Sequence, residues 1–319
     1  MKTRMILAAL GTALALGGAV QPAAAQTRVT FKAAKAGTSY YQMAVQIAET
    51  VKQASGGAVS ITVEESQGSV QNVKEAAGRG ANYLFTSPPA LVAKAVAGEK
   101  PFAPKDAVFD KIRALFPIPS LTMHYVVRGD AGVTDFAGLA GKRFVIGKGS
   151  FGAREAEKNF KDFGLEGKVE VIDIELSGAG AAMKNGQVDG FTTAGSWPAP
   201  NVVEVAATTP VRLLSMSDDQ VALSGRTRLV IPAGTYPGVD QDVVTTSLPV
   251  ITYALSDMDD DTAYQLTRSY WAGRESMAKS SPWWNSVTPA LLENVNVKLH
   301  PGALRYYDEA GIAVPASLR

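Results

Sequence analysis

Gly147, Gly149 and Gly152 stand at the spacing G-x-G-x-x-G, with Ser150 and Phe151 inside the pattern. The apolar run Phe144-Val145-Ile146 precedes them, and a helical pattern follows at once through Arg154 to Phe160. A turn of this kind presents free backbone N–H groups at a helix start, which is chemistry for binding an anion. The spacing also fits the dinucleotide fingerprint, and Asp173 ends the next strand-like run about 20 residues on, where an acid for a ribose would stand. A nucleotide site and a cradle for a small anion therefore compete for one loop, beside the plain role of glycines that pack a strand against a helix.

Four further turns put hydroxyl or glycine residues where strand patterns give way to helical ones: Thr38-Ser39-Tyr40, Gly68-Ser69-Val70, Thr86-Ser87 and Gly195-Ser196-Trp197. Ligands of open parallel sheets bind beyond the carboxyl ends of the strands. The five turns are expected to converge on one cleft, with Thr38, Ser39, Tyr40, Ser69, Val70, Thr86, Ser87, Gly149, Ser150, Phe151, Gly152, Ser196 and Trp197 as the candidate ligand contacts. Ser39, Ser69 and Ser150 are equally suited to capping their helices, and capping is compatible with ligand binding by the adjacent N–H groups. Arg79, Arg128 and Arg154 are the candidates for a formal positive charge in the cleft.

Catalysis finds little support. His124 and His300 are the only histidines, and cysteine is absent, so a structural zinc cluster has no ligands. No Gly-x-Ser-x-Gly elbow occurs. The acidic run Asp257, Asp259, Asp260 and Asp261 lacks the glycine and closing glutamate of a calcium loop and reads as negative charge at a helix start. No metal, catalytic residue or cofactor is expected.

The elements that must position these turns alternate. Val29 to Ala34 reads as a strand and Tyr40 to Ala54 as a helix, then Val59 to Glu64 as a strand and Val70 to Ala77 as a helix, then Asn82 to Phe85 and Ala90 to Ala97 likewise. After a strand from Leu121 to Arg128 the alternation restarts, with strands at Val169 to Asp173, Asp189 to Thr193 and Val211 to Leu214 and helices through Met183 and from Asn201 to Ala207. Late in the chain Val250 to Leu255 is a strand, a long helix runs from about Asp260 to Arg274, and the end with Trp283, Trp284 and Pro289 is helical and irregular. Such alternation predicts parallel sheets covered on both faces. No low-complexity linker separates the halves, so Leu121 to Arg128 and Val250 to Leu255 are expected to cross between them.

Lys2 and Arg4 precede an apolar run from Met5 to Val20, and Ala23-Ala24-Ala25 offers small residues before Gln26. This pattern predicts a secretory signal peptide over residues 1–25, too short to span a membrane, so that the mature chain is periplasmic and not membrane-inserted. With Lys2 and Arg4 removed from 31 basic residues, 29 remain against 30 acidic ones, a balance that recruits neither nucleic acid nor anionic lipid. A chain of this size buries roughly 75% of its unfolded surface, which holds it together without disulfides and suits two domains. Export also weighs against the dinucleotide, which is scarce outside the cytoplasm.

The motifs taken together resemble one family. Gly37-Thr38 followed by tyrosines, Gly68-Ser69-Val70-Gln71-Asn72, Gly147 to Gly152, Asp189-Gly190-Phe191, Trp197-Pro198-Ala199-Pro200, Pro232-Ala233-Gly234-Thr235-Tyr236 and His300-Pro301-Gly302-Ala303 are similar to those of the TAXI-family solute receptors of tripartite ATP-independent periplasmic (TRAP) transporters. The resemblance implies a type II periplasmic-binding-protein fold, with two α/β lobes joined by two hinge strands and the ligand in the cleft. It places lobe 1 at residues 26–124 plus 250–319 and lobe 2 at 125–249. It also implies a monomer that is no enzyme, captures a small organic anion (a carboxylate, dicarboxylate or amino acid) by lobe closure, and hands it to the membrane permease subunits. An exported enzyme and a sensor receptor are the alternatives. Relatives commonly read Gly-Ser-Gly-Thr in the glycine loop and Gln-Ser-Asp at the earlier strand end, where this chain has Gly149-Ser150-Phe151-Gly152-Ala153 and Thr86-Ser87-Pro88, so its ligand is expected to differ from theirs.

Overall fold

Residues 26–319 are described by a computed structural model, and the signal peptide expected over residues 1–25 lies outside the described residues. Strand β1 (Thr27–Lys32), helix α1 (Ser39–Ala54), β2 (Val59–Glu64), α2 (Ser69–Ala76), β3 (Tyr83–Ser87) and α3 (Pro89–Ala97) follow the alternation of the sequence. β1 lies between β2 and β3 and runs parallel to both. Tyr40, Met43, Ala44, Ile47 and Val51 recur at helical spacing and bury one face of α1, while the Thr38 hydroxyl accepts from the Tyr41 N–H at 3.4 Å to cap it. α2 has no side-chain cap, because Gly68 stands in that position at φ 95°.

Strand β4 (Ile112–Arg128) is longer than the sequence predicts, since it begins nine residues before Leu121. Pro117 and Pro119 conceal its first half, because proline cannot donate to a ladder and argues against a central strand. The chain then continues through β5 (Arg143–Val145), α4 (Phe151–Asp162), β6 (Glu170–Val171), α5 (Ala179–Lys184), β7 (Gly190–Gly195), α6 (Pro200–Ala206) and β8 (Val211–Leu213). Helix α7 (Asp218–Ser224) and strand β9 (Thr227–Ile231) have no counterpart in the sequence reading. A capping box announces α7, with the Ser217 hydroxyl accepting from the Gln220 N–H and the Gln220 amide oxygen from the Ser217 N–H. β10 (Val243–Leu255), α8 (Asp260–Ser280) and α9 (Pro301–Glu309) complete the chain, and Asp259 caps α8 with Asp260 and Asp261 in its first turn.

The strands form one sheet in the order β2-β1-β3-β10-β4-β7-β5-β6, with β8 added to β4 and β9 to β10. β2, β1 and β3 make the parallel sheet of one lobe, and β7, β5 and β6 that of the other. β4 and β10 run antiparallel between them, from Leu255 opposite Ile112 to Ser247 opposite Thr122. The second half of β4 pairs with β7 and β8, and the first half of β10 with β9, so both strands belong to both lobes. Their register shifts between Leu248 and Val250, where Pro249 faces the stretch that holds Pro119. Where the two strands cross, the ladder is interrupted by residues without an N–H. Among the described residues no helix is long and apolar enough to cross a membrane.

Candidate functional site

The turns at the strand ends enclose a cavity of about 60 Å³ between the two lobes. Thr38, Tyr40, Ser69 and Thr86 line it from one side, and Ser150, Phe151 and Gly152 from the other. The remaining six candidates lie elsewhere. Val70 is buried in the core and Gly149 is exposed on its turn. Ser87 is buried at the end of β3, opposite Ile251 of β10. The Ser39 hydroxyl accepts from the Ser196 N–H at 2.9 Å, and the Ser196 hydroxyl donates to the Ser120 carbonyl at 2.8 Å. These serines join α1 to the end of β7 beside the cavity. Trp197 lines a separate groove of about 320 Å³ with Trp283 and Leu229. That groove takes Ser120 and Thr122 from β4, whereas the cavity takes Leu121, so the two openings lie on opposite faces of the strand.

Three helices start at the cavity: α1 behind Thr38, α2 behind Gly68 and α4 behind Ser150. The first N–H groups of a helix have no partner within it and carry the positive end of its dipole. The Ser150 hydroxyl caps α4 by accepting from the Ala153 N–H at 3.0 Å, and the N–H groups of Phe151 and Gly152 precede the first hydrogen-bonded turn of the helix. Thr86 lines the cavity, and its hydroxyl is buried without a hydrogen-bond partner among the described residues. The Tyr40 hydroxyl donates to the Pro119 carbonyl at 2.9 Å, and burial raises its pKa well above the ordinary value, so it stays protonated.

Leu121, Leu176 and Val250 supply apolar wall. None of the three was a candidate contact, although Leu121 and Val250 fall in the strands expected to cross. Among the described residues Lys35 is the one basic residue of the wall, and its Nζ lies 3.6 Å from the carboxylate of Glu175, which also lines the cavity. Arg79, Arg128 and Arg154 do not line it: Arg79 pairs with Glu75, Arg128 with Asp130, and Arg154 is exposed.

Size and partners weigh against the dinucleotide reading of the glycine loop. About 60 Å³ is room for roughly four to six waters, far less than a dinucleotide needs. Asp173 is exposed and pairs with Lys148 at 2.9 Å, on the outside of the lobe. Neither histidine lines the cavity. His300 caps α9, and among the described residues no group of three or more His, Cys, Asp or Glu is placed to hold a metal.

His124 is buried in β4, with its Nδ1 donating to the Thr122 carbonyl at 3.1 Å. Its Nε2 then accepts from the Tyr236 hydroxyl at 2.8 Å, and that hydroxyl accepts from the Ala199 N–H at 2.8 Å. Burial lowers the His124 pKa from 6.5 to about 4, against the opposing pull of the Thr122 and Thr193 carbonyls. The unfolded chain therefore takes up a proton near pH 6.5 that the folded chain refuses until about pH 4. Stability from this group is full above pH 6.5 and is lost as the pH falls toward 4. At about 1.4 kcal/mol per pH unit, urea unfolding should lose about 2 kcal/mol from His124 between pH 7 and pH 5. His124→Gln is expected to flatten the profile by that amount. An unchanged slope in the variant would assign the loss to other groups, of which His300, whose pKa burial also lowers, is one.

The sequence profile of the NMT1-like family matches residues 31–311. Among solved structures, the periplasmic binding protein BugD is similar, with a TM-score of 0.58 at 12% identity over 91% of this chain and 100% of that one. MatC from Rhodopseudomonas palustris with bound malate is similar at a TM-score of 0.58 and 14% identity, over 89% of this chain and 96% of that one. A putative L-cystine ABC transporter from Listeria monocytogenes gives a TM-score of 0.51 at 12% identity, over 82% and 97%. At these identities the likeness is one of fold: two α/β lobes joined by two hinge strands, with a cleft between them.

Proposed function

The chain belongs to the NMT1-like family, and from that premise we propose that it is a periplasmic solute-binding receptor, not an enzyme, which captures a small organic anion by closure of its two lobes. The observation that carries this reading is the convergence of helix starts from both lobes, α1 and α2 from one and α4 from the other, on a single cavity. Each helix end contributes about 0.3 to 1 kcal/mol toward an exposed anion and up to about 2 when partly buried. Several such ends, with hydroxyls and excluded water, suit micromolar binding, which is about 8 kcal/mol. The proposal includes lobe 1 as residues 26–124 plus 250–319, lobe 2 as 125–249, and a leader over residues 1–25. It also includes the finer assignment to the TAXI type of TRAP receptor, a monomer that docks on membrane permease subunits through surfaces of both lobes. The test is a thermal-shift screen of residues 26–319 against carboxylates, keto acids and amino acids. A stabilising hit without turnover is expected, and product formation from a hit would overturn the reading.

Closure brings the end of β7 against α1, and Gly195 permits it, because a Cβ there would collide with the Ser39 hydroxyl. In Gly195→Ala the hydroxyl must turn away and give up the Ser196 N–H. One hydrogen bond of about 0.5 to 1.5 kcal/mol, made only when the lobes meet, corresponds to roughly a two- to tenfold loss of affinity. Calorimetry on Gly195→Ala and Ser39→Ala should give the same loss for both. Unchanged affinity in both would show that this bond forms equally in the open state.

A further inference from the structure

The cavity carries one ion pair on its wall, Lys35 with Glu175. Its wall presents helix starts from both lobes and, among the described residues, one buried, unpartnered hydroxyl, on Thr86. Those groups suit one carboxylate. Among the described residues the only cation of the wall, Lys35, is matched by Glu175, so the pair adds no net positive charge, and no described arginine lines the space. Leu121, Leu176, Val250 and Phe151 belong to the same wall, with Leu176 packed beside Gly147. A second carboxylate in the same space would meet neutral side chains, such as Gln67 and the apolar residues, or Glu175, and a buried charge without a counter-ion is strongly disfavoured. An α-ammonium group would lie next to the carboxylate it accompanies, at the positive ends of the helix dipoles, where a cation is repelled.

We propose that the cavity selects singly charged carboxylic acids with an uncharged, largely apolar body of about four to eight non-hydrogen atoms, on the scale set by four to six waters, and discriminates against dicarboxylates and α-amino acids. The inference rests on reading the cavity as the ligand site. Succinate fits by size, so its rejection isolates charge.

The experiment is titration calorimetry of residues 26–319 at neutral pH with pentanoate, 4-oxopentanoate, succinate and glutamate, on the unaltered chain and on Ser150→Glu. Pentanoate and 4-oxopentanoate should bind at least tenfold more tightly than succinate or glutamate, and Ser150→Glu should abolish their binding. Succinate or glutamate binding as tightly as the monoacids, and lost in Ser150→Glu, overturns the charge selection while leaving the cavity as the site. Binding that survives Ser150→Glu overturns the cavity reading and the inference with it. No heat from either monoacid overturns the inference, whatever other ligand the chain takes. Leu176→Lys, which adds an ammonium group to the apolar wall, should raise succinate affinity at least tenfold relative to pentanoate, and an unchanged ratio would overturn the role given to that wall.

Discussion

Replacing Ser150 by glutamate should reduce affinity for an anionic ligand at least a hundredfold while the fold survives. Ser150 precedes the first residue of α4 and lines the cavity, so a carboxylate on its side chain enters the space that a ligand carboxylate needs. Two unit charges about 4 Å apart repel by roughly 4 kcal/mol at the effective dielectric of a partly buried site. That repulsion alone is close to a thousandfold in the binding constant. The tethered carboxylate also competes for the N–H groups of Phe151 and Gly152, at an effective concentration in the millimolar range. The fold loses only the cap on the Ala153 N–H, at about 1 kcal/mol. Ser150→Thr keeps a hydroxyl and should retain binding. The measurement is calorimetry beside thermal unfolding, and unchanged affinity in Ser150→Glu would remove this loop from the site.

The largest effect on stability is expected from Arg226→Ala. Arg226 donates through Nε and Nη2 to the two carboxylate oxygens of Glu155, each at 2.8 Å, and so ties α4 to the turn between α7 and β9. The Glu155 side chain is only 7% exposed, whereas that of Arg226 is 28% exposed. Removing the arginine leaves a buried carboxylate without its counter-ion, which costs about 3 kcal/mol or more. Arg226→Ala should therefore lower the urea midpoint markedly, and adding Glu155→Leu to it should restore most of the loss by removing the orphaned charge. A midpoint within error of the unaltered chain would show that water reaches Glu155 and solvates it.

The sequence disclosed the parts of the site that local pattern determines. Thr38, Ser69 and Ser150 were legible because a strand, a turn residue and a helix start are neighbours along the chain, and such turns fall at the strand ends of a parallel sheet. The wall made by Leu121, Leu176 and Val250 was not, since it depends on three segments far apart in sequence meeting across the lobes. Ser196 and Trp197 shared the signature of the other turns. Yet Ser196 is engaged by Ser39 and Ser120, and Trp197 faces the groove on the other side of β4. The first half of β4 was hidden for a different reason: Pro117 and Pro119 are poor strand residues, tolerated where the ladder between β4 and β10 is irregular. α7 carried its capping box in plain view, and only its short length concealed it.

The position of β10 has a consequence for how the chain assembles. It lies between β3 and β4 in the sheet, pairing Tyr253 with Phe85 on one side and Ala114 on the other, yet it is the last strand to be made. While the chain is growing, β1, β2 and β3 can associate, but Leu84 and Phe85, fully buried in the finished protein, have only an open edge beside them. The same is true of β4 on its other edge. The nascent molecule therefore has two incomplete halves that become complete together when Val243 to Leu255 arrives. Pairing over so long a separation is slow, and the interval before it is when a chaperone has most to bind.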